Sequence, residues 1–195
     1  MNMNNNIDEI NQYLSSVTAA AGNLPKEKIA ELAAMILKAY EEEKTIFVFG
    51  NGGSGANASH FAGDLIKGAS YGLEKRFKAV CLNDNLSALM AVANDISYEE
   101  IFVEQLKNFV KEGDVVIGIS GSGNSMNVVK ALEYGLSVGA QTVAICGFNG
   151  GKIKEIADLV VHVAIDDMEV SEDLHLVILH CVKRVIMQAL PYPPS

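Results

Sequence analysis

Thr45-Ile46-Phe47-Val48-Phe49-Gly50-Asn51-Gly52-Gly53-Ser54-Gly55-Ala56-Asn57 is the stretch that decides the fold. A short run of β-branched and aromatic residues ends at Gly50 in a stretch rich in glycine, serine and asparagine. A helical pattern follows over Ala56–Ile66. An apolar run without alternation reads as a strand buried on both faces, which is the environment inside a parallel sheet. The same arrangement recurs downstream. Val115-Val116-Ile117-Gly118-Ile119 leads into Ser120-Gly121-Ser122-Gly123-Asn124-Ser125-Met126-Asn127, and a helical pattern covers Ser125–Val138.

Three more apolar runs complete the set: residues 78–82, 142–146 and 159–163. Helical patterns separate them at Ser87–Ala93, Glu99–Val110 and Lys152–Ala157. Two helices precede the first strand, Asp8–Ala21 and Lys26–Glu43, with Pro25 suited to start the second. A long helix from about Val170 to Leu190 closes the chain. Strand–helix alternation predicts a single α/β domain, a three-layer αβα sandwich around a five-stranded parallel sheet. N-terminal helices would occupy 1–44, the core with its closing helix 45–190, and a frayed tail 191–195. In such folds ligands collect at the carboxyl ends of the strands.

The bulk numbers narrow the function. The chain has 195 residues, with 15 Lys and Arg against 24 Asp and Glu, a net charge of −9. That balance argues against nonspecific nucleic-acid binding, which needs a basic face, although a local basic pocket for a small anion stays open. Three widely spaced cysteines, Cys81, Cys146 and Cys181, fit neither a disulfide framework nor a zinc knuckle. No apolar run is long enough to span a bilayer, and Met1–Asn6 lacks the pattern of a signal peptide. A soluble, cytoplasmic protein is expected.

Both loops join a buried strand to a helix start. Free N–H groups and the positive end of the helix dipole attract an anion there. Glycines let the backbone come close to a ligand, and serines add uncharged donors. Gly50, Gly52 and Gly55 formally match a dinucleotide fingerprint, but the acid it needs after the next strand is missing at the expected spacing. No G-K-[ST] follows, which argues against a P-loop. Turn chemistry alone explains the glycines but not the repeated serines. Two such loops favour a phosphate with a neighbouring polyol.

Gly50-Asn51-Gly52-Gly53-Ser54, His60-Phe61-Ala62, Asn94-Asp95, Ser120-Gly121-Ser122-Gly123-Asn124-Ser125 and Glu172-Asp173-Leu174-His175 with His180 together resemble the SIS (sugar isomerase) family. Within it they resemble the sedoheptulose 7-phosphate isomerases, or phosphoheptose isomerases, over nearly the whole chain. The resemblance implies a flavodoxin-like sheet, a homotetramer with active sites at subunit interfaces, and zinc as a candidate metal. The implied activity is the interconversion of sedoheptulose 7-phosphate and D-glycero-D-manno-heptose 7-phosphate, for heptose nucleotides and surface glycans. It also implies residue roles. Ser54, Ser120, Gly121, Ser122 and Ser125 would contact the phosphate. Asn51, Gly52, Gly53, Asn94, Asp95 and Glu172 would face the sugar. Asp64 and His180 would be the acid/base pair, and His60, Asp64, Glu172 and His180 the metal ligands.

Three positions depart from the family pattern: Asp64 stands for Glu, Glu172 for Gln, and Gly121 for Thr. Aldose–ketose isomerisation needs a base near C1 and C2 and an acid for the oxygens. His60 and Asp64, at i and i+4, share one helix face and could also hold zinc. Asp is a methylene shorter than Glu, which puts the reach of the base in question. Glu172 and His180 lie ~12 Å apart along one regular helix. Either Glu172 precedes the regular helix or the two serve one site from different subunits. The alternatives to a heptose phosphate isomerase are a noncatalytic SIS protein that binds phosphosugars as a regulator or scaffold, and an isomerase for another phosphosugar. His175 fits an interface as well as a catalytic role, and His162 reads as structural.

Overall fold

The computed structural model of the chain describes residues 3–192. Two helices come first, α1 (Met3–Gly22) and α2 (Lys26–Glu41). The core follows as β1 (Thr45–Gly50), α3 (Gly52–Gly63), β2 (Lys78–Cys81), α4 (Leu86–Asp95), α5 (Val103–Phe109), β3 (Val115–Ser120), α6 (Met126–Ser137), β4 (Gln141–Cys146), α7 (Gly151–Ile156), β5 (Leu159–His162) and α8 (Met168–Ala189). All five strands are parallel, in the order β2-β1-β3-β4-β5. This is the expected three-layer sandwich.

Alternation along the strands splits the core in two. Ile46 and Val48 join Ile117, Ile145 and Val161 beneath α2, α3 and α8. Phe47 and Phe49 join Val116, Ala144 and Cys146 beneath α5, α6 and α7. The chain therefore leaves β1 by α3 on one face and leaves β3 by α6 on the other. β1 and β3 are neighbours, so their carboxyl ends flank the crevice where strand order reverses, the usual ligand position in this architecture.

Several local expectations need correction. β2 is an edge strand, and Lys78 and Val80 are exposed rather than buried on both faces. The first glycine-rich stretch is mostly helix: α3 begins at Gly52, not Ala56. The predicted helix over 99–110 is broken, with a single 3-10 turn at Tyr98–Glu100 before α5. α3 does not continue as an α-helix to Ile66 but passes into a π-helical turn over Asp64–Ala69. Ser70 ends that turn by donating to the Leu65 carbonyl at 2.8 Å and accepting from the Phe77 N–H at 3.0 Å. The tail is tied down at Tyr192, whose hydroxyl donates to the Ala69 carbonyl at 2.6 Å. Residues 193–195 of the expected tail, like residues 1–2, lie outside the described residues.

Candidate active site

Asn83 fixes the end of β1. Its amide donates to the Gly50 carbonyl at 2.8 Å and accepts from the Gly50 N–H at 3.2 Å. Asn51 then pairs with Asn127 of α6 by two amide–amide hydrogen bonds, both 2.9 Å, and accepts a third from the Tyr98 hydroxyl at 2.9 Å. The two loops are thus laced together across the crevice. This lacing uses most of the Asn51 amide that the family roles assign to the sugar. Ser54, in the first turn of α3, is buried beside Gly50.

The second loop is equally constrained. Ser120 Oγ accepts from the Gly123 N–H at 3.1 Å and donates to Ser125 Oγ at 3.3 Å. Gly123 has φ +69° and lies flat on the Gly150–Gly151 backbone, so no side chain fits there. Ile153 N–H donates to the Gly123 carbonyl at 3.0 Å, and the Asn124 side chain accepts from Lys152 N–H at 3.1 Å. Ser122 and Ser125 remain partly open at the mouth. Gly121 is explained by its neighbour: an added Cβ would stand 2.5 Å from Met168 Sδ, so the threonine of the family pattern would require Met168 to move.

α8 begins at Met168, capped by Asp167, whose carboxylate accepts from the Val170 N–H at 3.0 Å. It lies alongside α3 in the same direction: Gly53 meets Glu172, Asn57 donates to the Glu172 carbonyl at 2.8 Å, and His60 meets His180. The Glu172 carboxylate covers the Gly53 face, a place open only because residue 53 has no Cβ. There it faces the first turn of α3, whose dipole favours a negative charge. Asn94 and Asp95 are exposed at the end of α4, with Asn94 donating to Asp95 at 2.7 Å. They belong to the same segment as Tyr98 and so flank the first loop.

Two turns further along α3 stands the second cluster. His60 Nε2 and His180 Nε2 are 3.0 Å apart. Asp64 Oδ2 lies 3.6 Å from the first and 3.7 Å from the second. Its other oxygen, Oδ1, accepts from Lys183 Nζ at 2.5 Å. Asp64 is mostly buried, with 14% of its side chain exposed, and Oδ2 has no hydrogen-bond partner.

An orphaned carboxylate oxygen and two imidazole nitrogens aimed at one point form a donor set suited to a divalent cation. Tetrahedral zinc with bonds of ~2.0–2.1 Å spaces its ligands roughly 3.3 Å apart, and the three spacings bracket that value. Among the described residues, this is the one cluster of three or more His, Cys, Asp or Glu side chains that could hold a metal. Glu172 is not part of it within one chain. The reason is helical rise. α8 is regular from Met168, so Glu172 sits two turns from His180 and does not precede the regular helix.

Two histidines play other parts. His162 bonds the Phe148 carbonyl through Nε2 at 2.9 Å and Lys154 through Nδ1 at 3.2 Å, a structural bridge. His175 is wholly buried, not at a surface as an interface histidine would be, and neither ring nitrogen has a hydrogen-bond partner. Burial lowers its pKa to about 4; the Cys146 backbone is near enough to favour the charged form but outside bonding geometry. Burial likewise pushes the Cys81 and Cys146 thiols up to about 12, which leaves them unreactive.

Asn83, Asn127, Lys183 and Gly68 were not anticipated from sequence. Lys183 alone carried a signal: it lies three residues after His180 and so on the same helix face.

The SIS domain sequence profile matches residues 7–147. A phosphoheptose isomerase of Geotalea uraniireducens is 38% identical over 188 residues, covering 94% of this chain and 98% of the relative. One from Helicobacter pylori (strain P12) is 37% identical over 164 residues, covering 82% and 84%. The solved structure of a phosphoheptose isomerase from Francisella tularensis superimposes with a TM-score of 0.87 at 28% identity, covering 94% of this chain and 98% of that one.

Proposed function

The chain belongs to the SIS domain family, on its phosphoheptose isomerase branch, and from that premise we propose that it interconverts sedoheptulose 7-phosphate and D-glycero-D-manno-heptose 7-phosphate. The observation that carries the reading is the pairing of two kinds of site on one helix. α3 starts in the phosphate loops and about three turns later leads into Asp64, which stands with two imidazoles.

The N–H groups of the Ser120–Ser125 loop, the start of α6 and the Ser54, Ser120, Ser122 and Ser125 hydroxyls hold the phosphate. Gly52, Gly53, Asn94, Asp95, Glu172 and the remaining N–H of Asn51 meet sugar hydroxyls. Gly121 lets the backbone approach. Asp64 Oδ2 takes a proton from C1 of the ketose and returns it to C2 of the enediol, because it is the oxygen left without a partner. His180 gives a proton to O2 as the proton on O1 leaves, so the carbonyl moves from C2 to C1. A zinc ion held by the same His60, Asp64 and His180 donors would supply Lewis-acid polarisation of the carbonyl in place of the proton from His180.

The reading includes a homotetramer with sites completed at subunit interfaces. His60 and His180 are about half exposed on the outer side of α3 and α8. Ile7, Ile10 and Leu14 form an exposed apolar stripe on α1, and Leu86, Met90, Ile96 and Tyr98 another patch beside the first loop. A neighbour across such surfaces could also bring its own Glu172 to the metal cluster. The groove lined by Tyr40, Glu43, Lys75 and Arg76 lies near the amino ends of β1 and β2, away from all of these residues. No helix of the described residues is long and apolar enough to cross a membrane, and free thiols fit a reducing cytoplasm, where heptose nucleotides for surface glycans are made.

The test is turnover of sedoheptulose 7-phosphate in a coupled assay, with His180→Gln expected to abolish it. A metal-replete tetramer without turnover would overturn the reading. Thermal shifts with C5, C6 and C7 phosphosugars separate a heptose from a shorter substrate, because a ligand of the native state raises its stability.

A further inference from the structure

We propose that Lys183 is a positioning residue for Asp64: its ammonium holds one carboxylate oxygen so that the other is presented to His60 and His180. The inference deepens the isomerase reading and rests on it for the role of Asp64. Three features of the structure carry it.

The first is the division of labour at the carboxylate. Oδ1 accepts from Lys183 Nζ at 2.5 Å, while Oδ2 is buried without a hydrogen bond between two imidazole nitrogens at 3.6 and 3.7 Å. A carboxylate with free choice would turn to satisfy both oxygens. Here an ammonium pins one and leaves the other in want of a proton or a cation.

The second is a lane built for the lysine. Gly68 lies in the π-helical turn that begins at Asp64, and an added Cβ there would stand 2.8 Å from Lys183 Cε and 2.9 Å from Nζ. Gly68 does not have a positive φ, so backbone strain does not call for glycine. What glycine supplies at this position is room for the lysine to reach Asp64. π-Helical turns inside α-helices recur at functional sites, and this one places the lane directly after the carboxylate.

The third is reach. Aspartate has one methylene fewer than glutamate, so its tip is set closely by its backbone and has little play. An ammonium across from α8 fixes the remaining rotation about the Cβ–carboxylate bond. A base misplaced by ~1 Å can lose on the order of 10²-fold in rate.

Two variants test this from opposite sides. Lys183→Met removes the ammonium. Gly68→Ala keeps it but fills its lane, and the atoms it displaces are the flexible end of the lysine. Alanine also has the higher helix propensity, which offsets part of the lost ion pair, so Gly68→Ala should fold. Both should lower kcat by roughly 10–100-fold with KM for sedoheptulose 7-phosphate within a factor of three, since the phosphate loops are untouched. Crystal structures of both should show the Asp64 carboxylate rotated from its wild-type position. If Lys183→Met does not fold, Gly68→Ala decides. Unchanged kcat with Asp64 in place in Gly68→Ala overturns the proposal, as does a loss expressed in KM alone. If the wild-type protein shows no turnover, the isomerase reading fails, and the crystallographic position of Asp64 alone decides whether Lys183 positions it.

Discussion

His175 should make this protein acid-sensitive in a way that one substitution removes. The ring is fully buried and unpartnered, and burial lowers its pKa from 6.5 to about 4. In the unfolded chain it regains its ordinary value. Between these two values the unfolded state binds the proton and the folded state does not, so stability falls as pH drops through this window. The gap of about 2.5 units corresponds to about 3 kcal/mol, fully lost only below pH 4. For a domain of this size that is roughly 6–12 °C in Tm. Carboxylates also contribute to acid unfolding, so the measurement is a difference between proteins. Urea unfolding of wild type and His175→Leu at pH 7, 6, 5 and 4, at one protomer concentration, should give a pH 7-to-4 loss about 3 kcal/mol smaller in the variant. At pH 7 the two should be close, because leucine replaces a ring that makes no hydrogen bond. Equal losses in both proteins would show that His175 is not held neutral in the core, and the reasoning would fall.

Other outcomes follow from the same geometry. Asn83→Ala removes both bonds to Gly50 and should cost about 2 kcal/mol in urea unfolding, with turnover falling as the first loop loosens. Ser120→Ala takes away the acceptor for Gly123 N–H; KM for the sugar phosphate should rise roughly tenfold, as expected for about 1.4 kcal/mol, with the phosphosugar thermal shift correspondingly smaller. Gly53→Ala would push the Glu172 carboxylate off the start of α3. Its effect should appear in sugar-phosphate affinity by calorimetry, with little change in Tm because only a flexible side-chain end must move. Cobalt(II) titration followed by visible absorbance should show binding in the wild type and none in His60→Ala or His180→Ala, since each removes one of three converging donors.

The sheet could be read from sequence because its strands are continuous apolar runs that no other element of that length explains. The loops were readable because phosphate chemistry needs glycine and serine in one place. Asp64 and His60 were picked out by the family resemblance, and their i,i+4 spacing, a local signal, puts them on one helix face. The partners of these residues were not readable. Nothing near Asp64 announces Lys183, 119 positions away, and nothing near Asn51 announces Asn127, because those contacts exist only after α8 and α6 pack. The π-helical turn escaped for a related reason: Ser70 and Phe77 stabilise it through bonds that an α-helical pattern does not record. Glu172 was placed among the ligands on resemblance alone, and helical rise separates it from them within one chain.

The parallel alignment of α3 with α8 has a consequence for the order in which this protein becomes functional. The SIS profile ends at residue 147, with both loops, His60 and Asp64 already inside it. His180 and Lys183 lie 120 and 119 residues beyond His60 and Asp64 and arrive only with the last helix. A nascent chain emerging from the ribosome therefore carries both glycine-rich loops well before it carries the partners of His60 and Asp64. Loss of the final 20 or so residues, by nonsense mutation or proteolysis, would remove His180, Lys183 and part of the α3-side core while both glycine-rich loops stay in the chain.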